Sequence, residues 1–439
     1  MNNLSSFQVV FTGIIMGLVV LALLVFAGII PGFSSIRGTN PVSLTMWGFL
    51  PEENFTETIG LVNGYNEETF KLSYVEKSKE TYKEGLLDAL ASGAGPDIFM
   101  LTPDMVLEYR QKAYLIPFDI FSERSFKDAF IDVADIFLWK VEDMDSGIVA
   151  VPFLIDPVVM YWNKDIFNSI GLARAPKFWD EFQSYSISLT EKNVSGNITR
   201  SGAAMGEYSN IRNAKDIFSM LVLQSGNKMI DPSNLDVVFG EKGDLVVEPV
   251  NSALSFFTSF SNPSKVSYSW NRALPDSRDF FSGGKLAVYF GYASEYKDIV
   301  KQNPHLNFDI AVVPQTRDSS IQATFGNVYA WATSKNSLYI GPAISAAFSF
   351  MGDDIMEGLN QGVFLPPVKR NLIDKGTKEP LLSVFYKSAV QARSWLEPDS
   401  ESVSSIFKDM IESVVYGRKN ISQAVSDAKR LLEAEMPSI

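Results

Sequence analysis

The sequence predicts an α/β protein preceded by one N-terminal transmembrane helix. Three observations lead there. Strand and helix patterns alternate from Val42 to Leu101, the order that builds α/β folds. Val9 to Ile30 is a run of 22 residues without a charge, long enough at 1.5 Å per residue to cross a bilayer core of about 30 Å. The remainder has ordinary globular composition, with 46% apolar and 20% charged residues over a chain of 439.

Residues 1–8 form a short tail without Lys or Arg, residues 9–30 an anchor or signal, and residues 31–40 a linker marked by Pro31, Gly32, Ser34, Ser35 and Gly38. A cleaved secretory signal shows a basic start, a shorter apolar stretch and a small-x-small cleavage site. Ala22 and Ala27 do not supply that spacing, so an uncleaved anchor is the expectation.

After the linker, Val42-Ser-Leu-Thr-Met-Trp47 alternates as a half-buried strand and ends at Gly48. Thr81-Tyr-Lys-Glu84 fits a capping box for a helix whose apolar face is Leu86, Leu87 and Leu90, with Gly93 as its stop. Gly95-Pro96-Asp97 then turns into the strand Ile98–Leu101. The charged run from Glu76 to Glu84 reads as a solvated face. Val149–Tyr161 is extended with two internal prolines, and helices follow over Trp179–Leu189 and Asn213–Gln224, the latter with Gly226 as C-cap. Further strands are expected at Leu286–Phe290 and Phe308–Val313. The C-terminus is helical, with Ile406, Met410 and Val414 on one stripe, a break at Gly417, and then Ala424, Ala428 and Leu431.

Composition excludes several classes of chemistry. The net charge is −13 and no basic run could track phosphates, which argues against a nucleic-acid partner. The chain has no Cys and a single His, His305. That removes disulfides, thiolate metal sites, cysteine nucleophiles and most histidine chemistry, and no metal or cofactor is expected. Asp143-Met-Asp145-Ser-Gly147 has the opening spacing of a calcium loop but lacks the Gly and the distal Glu of an EF-hand; a hairpin turn is expected there. His305, beside Pro304, reads as a surface loop residue.

Several segments together resemble the extracellular solute-binding proteins of sugar ABC transporters, the maltose-binding-protein-like group. Trp47 resembles the aromatic that closes the family's first strand, and Gly93-Ala-Gly-Pro96-Asp97-Ile98 the turn after its second helix. Val151-Pro152 through Asp156 to Tyr161-Trp-Asn163-Lys164-Asp165-Ile-Phe167 is the most specific block. Pro176-Lys177-Phe178-Trp179-Asp180-Glu181-Phe182, Phe281-Ser-Gly283-Gly-Lys285-Leu-Ala287 and the closing segment from Trp395 to Ala428 complete the series in family order. Phe178 departs from the pattern, standing where a Thr usually caps the next helix, and Trp162 occupies a position where Tyr or a small residue is commoner.

The resemblance implies a two-lobed periplasmic-binding-protein-like fold (type II) whose lobes close by hinge bending. Residues 41–154 plus 315–365 are expected as lobe 1, and 155–314 plus 366–439 as lobe 2. The expected hinge segments are Leu154 to Pro157, with prolines ill-suited to a central strand, Val312 to Arg317 around Pro314, and a third near Gly352 to Pro367. The implied function is capture of an oligosaccharide or related polyol for an ABC permease by a monomeric protein, held to the cell membrane with its globular part outside, or secreted if the segment is cleaved. Sugar sites combine flat aromatic surfaces with planar hydrogen-bonding groups. The ligand-binding candidates are therefore Trp47, Asp156, Glu207, Tyr208, Asn210, Tyr292, Asn327 and Trp395, with Tyr292 and Trp395 stacking on the sugar. A carbohydrate-active enzyme is the alternative. It would use Asp156 and Glu207 as its carboxylate pair.

Overall fold

The computed structural model describes residues 41–242 and 248–437. The expected tail, membrane helix and linker lie outside these residues. Among the described residues, no helix is long and apolar enough to cross a membrane.

The first part of the chain builds a parallel sheet. Strand β1 (Val42–Gly48) lies between β2 (Phe70–Glu76) and β3 (Ile98–Leu101), with Trp47 opposite Val75 on one side and Phe99 on the other. Parallel neighbours need crossovers. They are provided by α1 (Thr56–Tyr65) and α2 (Tyr82–Ser92). Gly93 ends α2 at φ +75°, the left-handed stop expected of it. The capping box at Thr81 does not form. A 3₁₀ turn over Lys79–Thr81 leads directly into the helix, and the Thr81 side chain caps nothing. Asp143 to Gly147 is a hairpin, as expected, joining β4 (Leu138–Trp139) to β5 (Gly147–Ile148).

Strand β6 (Val151–Asn163) decides the architecture. All 13 of its residues are buried. Its first half, Val151 to Pro157, pairs antiparallel with β11 (Thr324–Thr333); its second half, Val158 to Trp162, pairs with β9 (Leu286–Tyr292). The change of partner falls immediately after Pro157, a residue with no N–H to give a ladder. One continuous sheet path follows, β2-β1-β3-β11-β6-β9-β8-β7, with β7 (Glu191–Lys192) and β8 (Ile198–Ala203) at its far end. β10 (Phe308–Ala311) pairs with β6, and β12 (Ala392–Arg393) with β11. Strands β6 and β11 thus run from one lobe into the other.

Each lobe has its own aromatic centre. In the first, Trp331 stacks on Phe153 at 4.9 Å and meets Phe55 and Phe350. In the second, Phe182 and Trp179 pack on Phe290. Trp179 begins α3 (Trp179–Leu189), and its amide donates to the carbonyl of Gln315, which partly answers the missing cap at Phe178. The Phe178 ring instead lies under the Arg317 guanidinium at 4.1 Å. Trp162 is buried against Phe167.

Two expected boundaries move. Pro314 is not on a crossing strand. Its carbonyl accepts from the Gln224 side chain at the end of α4 (Ala214–Gln224), and Gln315 pairs beside Phe178, so this segment stays within the second lobe. The second crossing is β11, some ten residues later. The chain also remains in the first lobe beyond Pro367, because Phe130 bridges to Lys369 and Arg370 holds Asp132 at 2.6 Å. It returns through α5 (Pro380–Gln391) and β12, which lies against Thr324 and Phe325. Expected crossings at Leu154–Pro157 and near Gly352–Pro367 therefore fare differently: the first coincides with β6, and the chain lies in the first lobe through the second.

Candidate functional site

The two lobes face each other across a cavity of about 240 Å³. Its floor is the crossing strands, where Phe325 and Asn327 of β11 share one face by the period of two. Asn327 sits directly opposite Asp156 of β6. The first lobe contributes Lys79 from the turn before α2 and Asp104 from the loop after β3. The second lobe contributes Asn213, Lys215 and Asp216 where α4 begins, Tyr292 at the end of β9, Ser394 and Glu397 from the loop after β12, and Ser400 at the start of the helix that follows. A further depression of about 500 Å³ shares Asn213, Lys215 and Asp216 and reaches out to Tyr208 and Ser404.

Charged side chains dominate the walls. Lys215 donates to Glu397 Oε2 and, at 2.9 Å, to Ser400 Oγ, and lies 3.9 Å from Asp216. Asp216 also accepts the Tyr292 hydroxyl at 2.9 Å. Glu397 is only 3% exposed. Burial pushes its carboxyl up to about 7, with Asp104 and Asp216 adding to the rise and Lys215 opposing it. The Lys215 ammonium is held charged: burial works against it, and Glu397 and Asp216 more than offset that. On the facing lobe, Asp104 accepts from Lys83 at 2.6 Å and from the Thr102 hydroxyl. Asp156 lies opposite Asn327 and is buried. Burial raises it to about 6, although the Ser294 amide donates to it at 3.0 Å.

The sequence candidates divide accordingly. Tyr292 and Asn327 line the cavity, Asp156 lies beside Asn327, and Tyr208 lines the outer depression while bonding the Ser404 hydroxyl at 2.6 Å. The other four have different surroundings. Trp47 is not among the residues lining the cavity, and its ring carries Lys77 Nζ at 3.7 Å. Glu207 is buried elsewhere in the second lobe and accepts the Tyr416 hydroxyl at 2.9 Å. Asn210 donates to the carbonyls of Asn271 and Leu274 and accepts from Trp270 Nε1, so its amide is fully used in joining loops. Trp395 is 5% exposed and stacks on Phe407. Its ring is packing, although Ser394 and Glu397 on either side reach the cavity. With Asp156 held by Ser294 and Glu207 by Tyr416, the two carboxylates belong to separate networks.

Sequence reasoning missed Lys79, Asp104, Lys215, Asp216 and Glu397. One signal was available. Asp104 follows the C-terminal end of a parallel strand, where open α/β sheets hold ligands. The run from Glu76 to Glu84 was expected as a solvated face, yet Lys79 lines the cavity and Lys83 pairs with Asp104. For Lys215 and Glu397, 182 positions apart, no local pattern exists.

The model of the bacterial extracellular solute-binding protein family matches residues 52–351 of this sequence, more than half of it. The chain belongs to that family. The family is one of solute-binding proteins rather than enzymes, and the carboxylate-pair alternative falls on that ground. A binding protein of Brucella abortus (strain 2308) is 21% identical over 352 residues, covering 79% of this chain and 80% of its own length. The cyclic alpha-maltosyl-1,6-maltose binding protein from Arthrobacter globiformis superposes with a TM-score of 0.71 at 17% identity, over 90% of this chain and 99% of its own. The maltose-binding periplasmic protein from Listeria monocytogenes, in complex with maltose, gives 0.69 at 16% identity, over 90% and 98%. At such identities these likenesses establish the two-lobed fold.

Proposed function

We propose that this solute-binding protein captures a carbohydrate, an oligosaccharide or related polyol, between its lobes and delivers it to an ABC transporter permease. The observation that carries this reading is the polar cavity at the crossing strands. Asn327, Tyr292 and the Lys215–Glu397 pair present donors and acceptors from several directions, as a polyhydroxyl solute requires. The adjoining depression by Tyr208 offers room for a second sugar unit. Fold neighbours whose structures hold maltose and maltotetraose support the solute class. In this reading Tyr292, Asn327, Asp156 and Tyr208 remain ligand contacts, while Trp47, Glu207, Asn210 and Trp395 do not. The lobes bend about β6, β11 and the link through α5 and β12. Residues 9–30 tether the protein to the membrane with the lobes on the extracytoplasmic side.

Thermal melting against a panel of neutral sugars and polyols tests the binding claim. A true ligand at about a hundred times its dissociation constant stabilises the protein by roughly 2.7 kcal/mol, and scattering should show contraction. A broad panel that changes neither melting nor size removes the carbohydrate reading. Alkaline extraction tests the tether, and a mature chain trimmed near residue 30 would make the segment a signal peptide.

A further inference from the structure

The cavity is rich in charge, yet its buried charges already have protein partners. Lys215 is 14% exposed and is answered by Glu397 in contact and by Asp216 at 3.9 Å. Asp216 also holds the Tyr292 hydroxyl. Across the cleft Asp104 is occupied by Lys83 at 2.6 Å. The remaining lining cation, Lys79, is exposed, with Nζ 5.9 Å from the centre of the Phe49 ring. Among the described residues no arginine lines this cavity.

That balance is selective. A phosphate or carboxylate entering the cleft would compete with Glu397 for Lys215, whose charge is already answered, and would meet Asp104 and Asp216 as like charges, with only the exposed Lys79 left to attract it. Separating Lys215 from Glu397 would break a buried pair, which is strongly unfavourable. A hydroxyl has no such competition, because an ammonium has three protons and a carboxylate several lone-pair positions, so both members of the pair can bond a neutral solute while keeping each other.

We infer that Glu397 is a specificity-determining residue: by neutralising Lys215 it reserves the cleft for uncharged polyhydroxyl solutes and rejects phosphorylated or carboxylated ones. This rests on the carbohydrate reading above and narrows it. The Ser400 hydroxyl also accepts from Lys215 and keeps the ammonium in register with Glu397, so the effect should follow the charge of residue 397 rather than its shape.

The test is calorimetric titration of the full-length chain in detergent at pH 8. The probes are glucose, maltose, glucose 6-phosphate and glucuronate. Wild type should bind its better neutral probe at least tenfold more tightly than either anion. Glu397→Gln, which frees Lys215 with nearly the same shape, should narrow that ratio at least tenfold. The double variant Lys215→Gln with Glu397→Gln should restore discrimination, since no ammonium is released. Wild type binding either anion as tightly as the neutral probes overturns the inference while leaving the carbohydrate reading intact, and it needs no variant to fold. An unchanged ratio in folded Glu397→Gln, checked by circular dichroism, also overturns it. Failure of all four probes to bind, alongside a silent sugar panel, removes both readings together.

Discussion

The second lobe holds two polar clusters of similar composition, and their roles differ. In one, Glu207 pairs with Tyr416 and, on the same loop, Asn210 with Trp270; the other joins Lys215, Asp216, Tyr292 and Glu397. Asn210 and Lys215 are only five positions apart. In the first cluster the donors and acceptors are spent inside the protein, tying the Gly206–Asn210 loop to Asn271, Leu274 and the C-terminal helices. In the second, the same kinds of group open onto the cavity beside β11. Residue type does not separate a fastening from a site. Position relative to the crossing strands does.

Three measurements would break or sharpen this contrast. Among single substitutions the largest effect is expected at Trp395, whose buried ring stacks on Phe407. Trp395→Ala should cost about 3–5 kcal/mol of stability, the range for large-to-small changes in a packed core, measured by denaturant unfolding of ligand-free protein. An unchanged unfolding midpoint with ligand binding lost would move Trp395 back into the site.

A smaller and more pointed comparison pairs two asparagines. Asn210→Ala leaves Trp270 Nε1 and two carbonyls without their partner, and should cost about 1–3 kcal/mol with affinity preserved in the folded fraction. Asn327→Ala should instead weaken ligand binding about tenfold, roughly 1.4 kcal/mol, with little change in the unfolding midpoint. If both variants lose stability and neither loses affinity, the floor of the cleft is only structural.

A third expectation is a pH dependence, spread over several steps in pH rather than concentrated in one contact. Burial raises Glu397 to about 7 and Asp156 to about 6, above the values near 4 of an unfolded chain. The folded protein therefore holds these protons more tightly. Stability should increase as pH falls through 7 and then 6, levelling off near 4, and one proton bound more tightly limits the gain to about 1.4 kcal/mol per group for each step of one in pH. Glu397→Gln should remove the upper part of that slope. Stability that drops as pH is lowered over the same window would contradict the burial of both groups.

Much of the fold was legible in local pattern. The alternation in Val42–Trp47, the apolar face ending at Gly93 and the helix over Trp179–Leu189 all appear where their periodicity put them, because strand and helix periods are set by the backbone itself. Pro157 marked the first crossing for an equally local reason, the donor it lacks. Pro314 misled because a proline shows only where a ladder cannot continue, and here it sits in a loop held by Gln224. Aromatic and polar candidates such as Trp395 and Asn210 were chosen by type, and type is blind to which way a side chain faces. Tertiary structure alone brought Asp104, Lys215 and Glu397 to one cavity. They come from segments far apart in the chain: packing within the second lobe sets Lys215 beside Glu397, and the strands that pass through both lobes set Asp104 across from them.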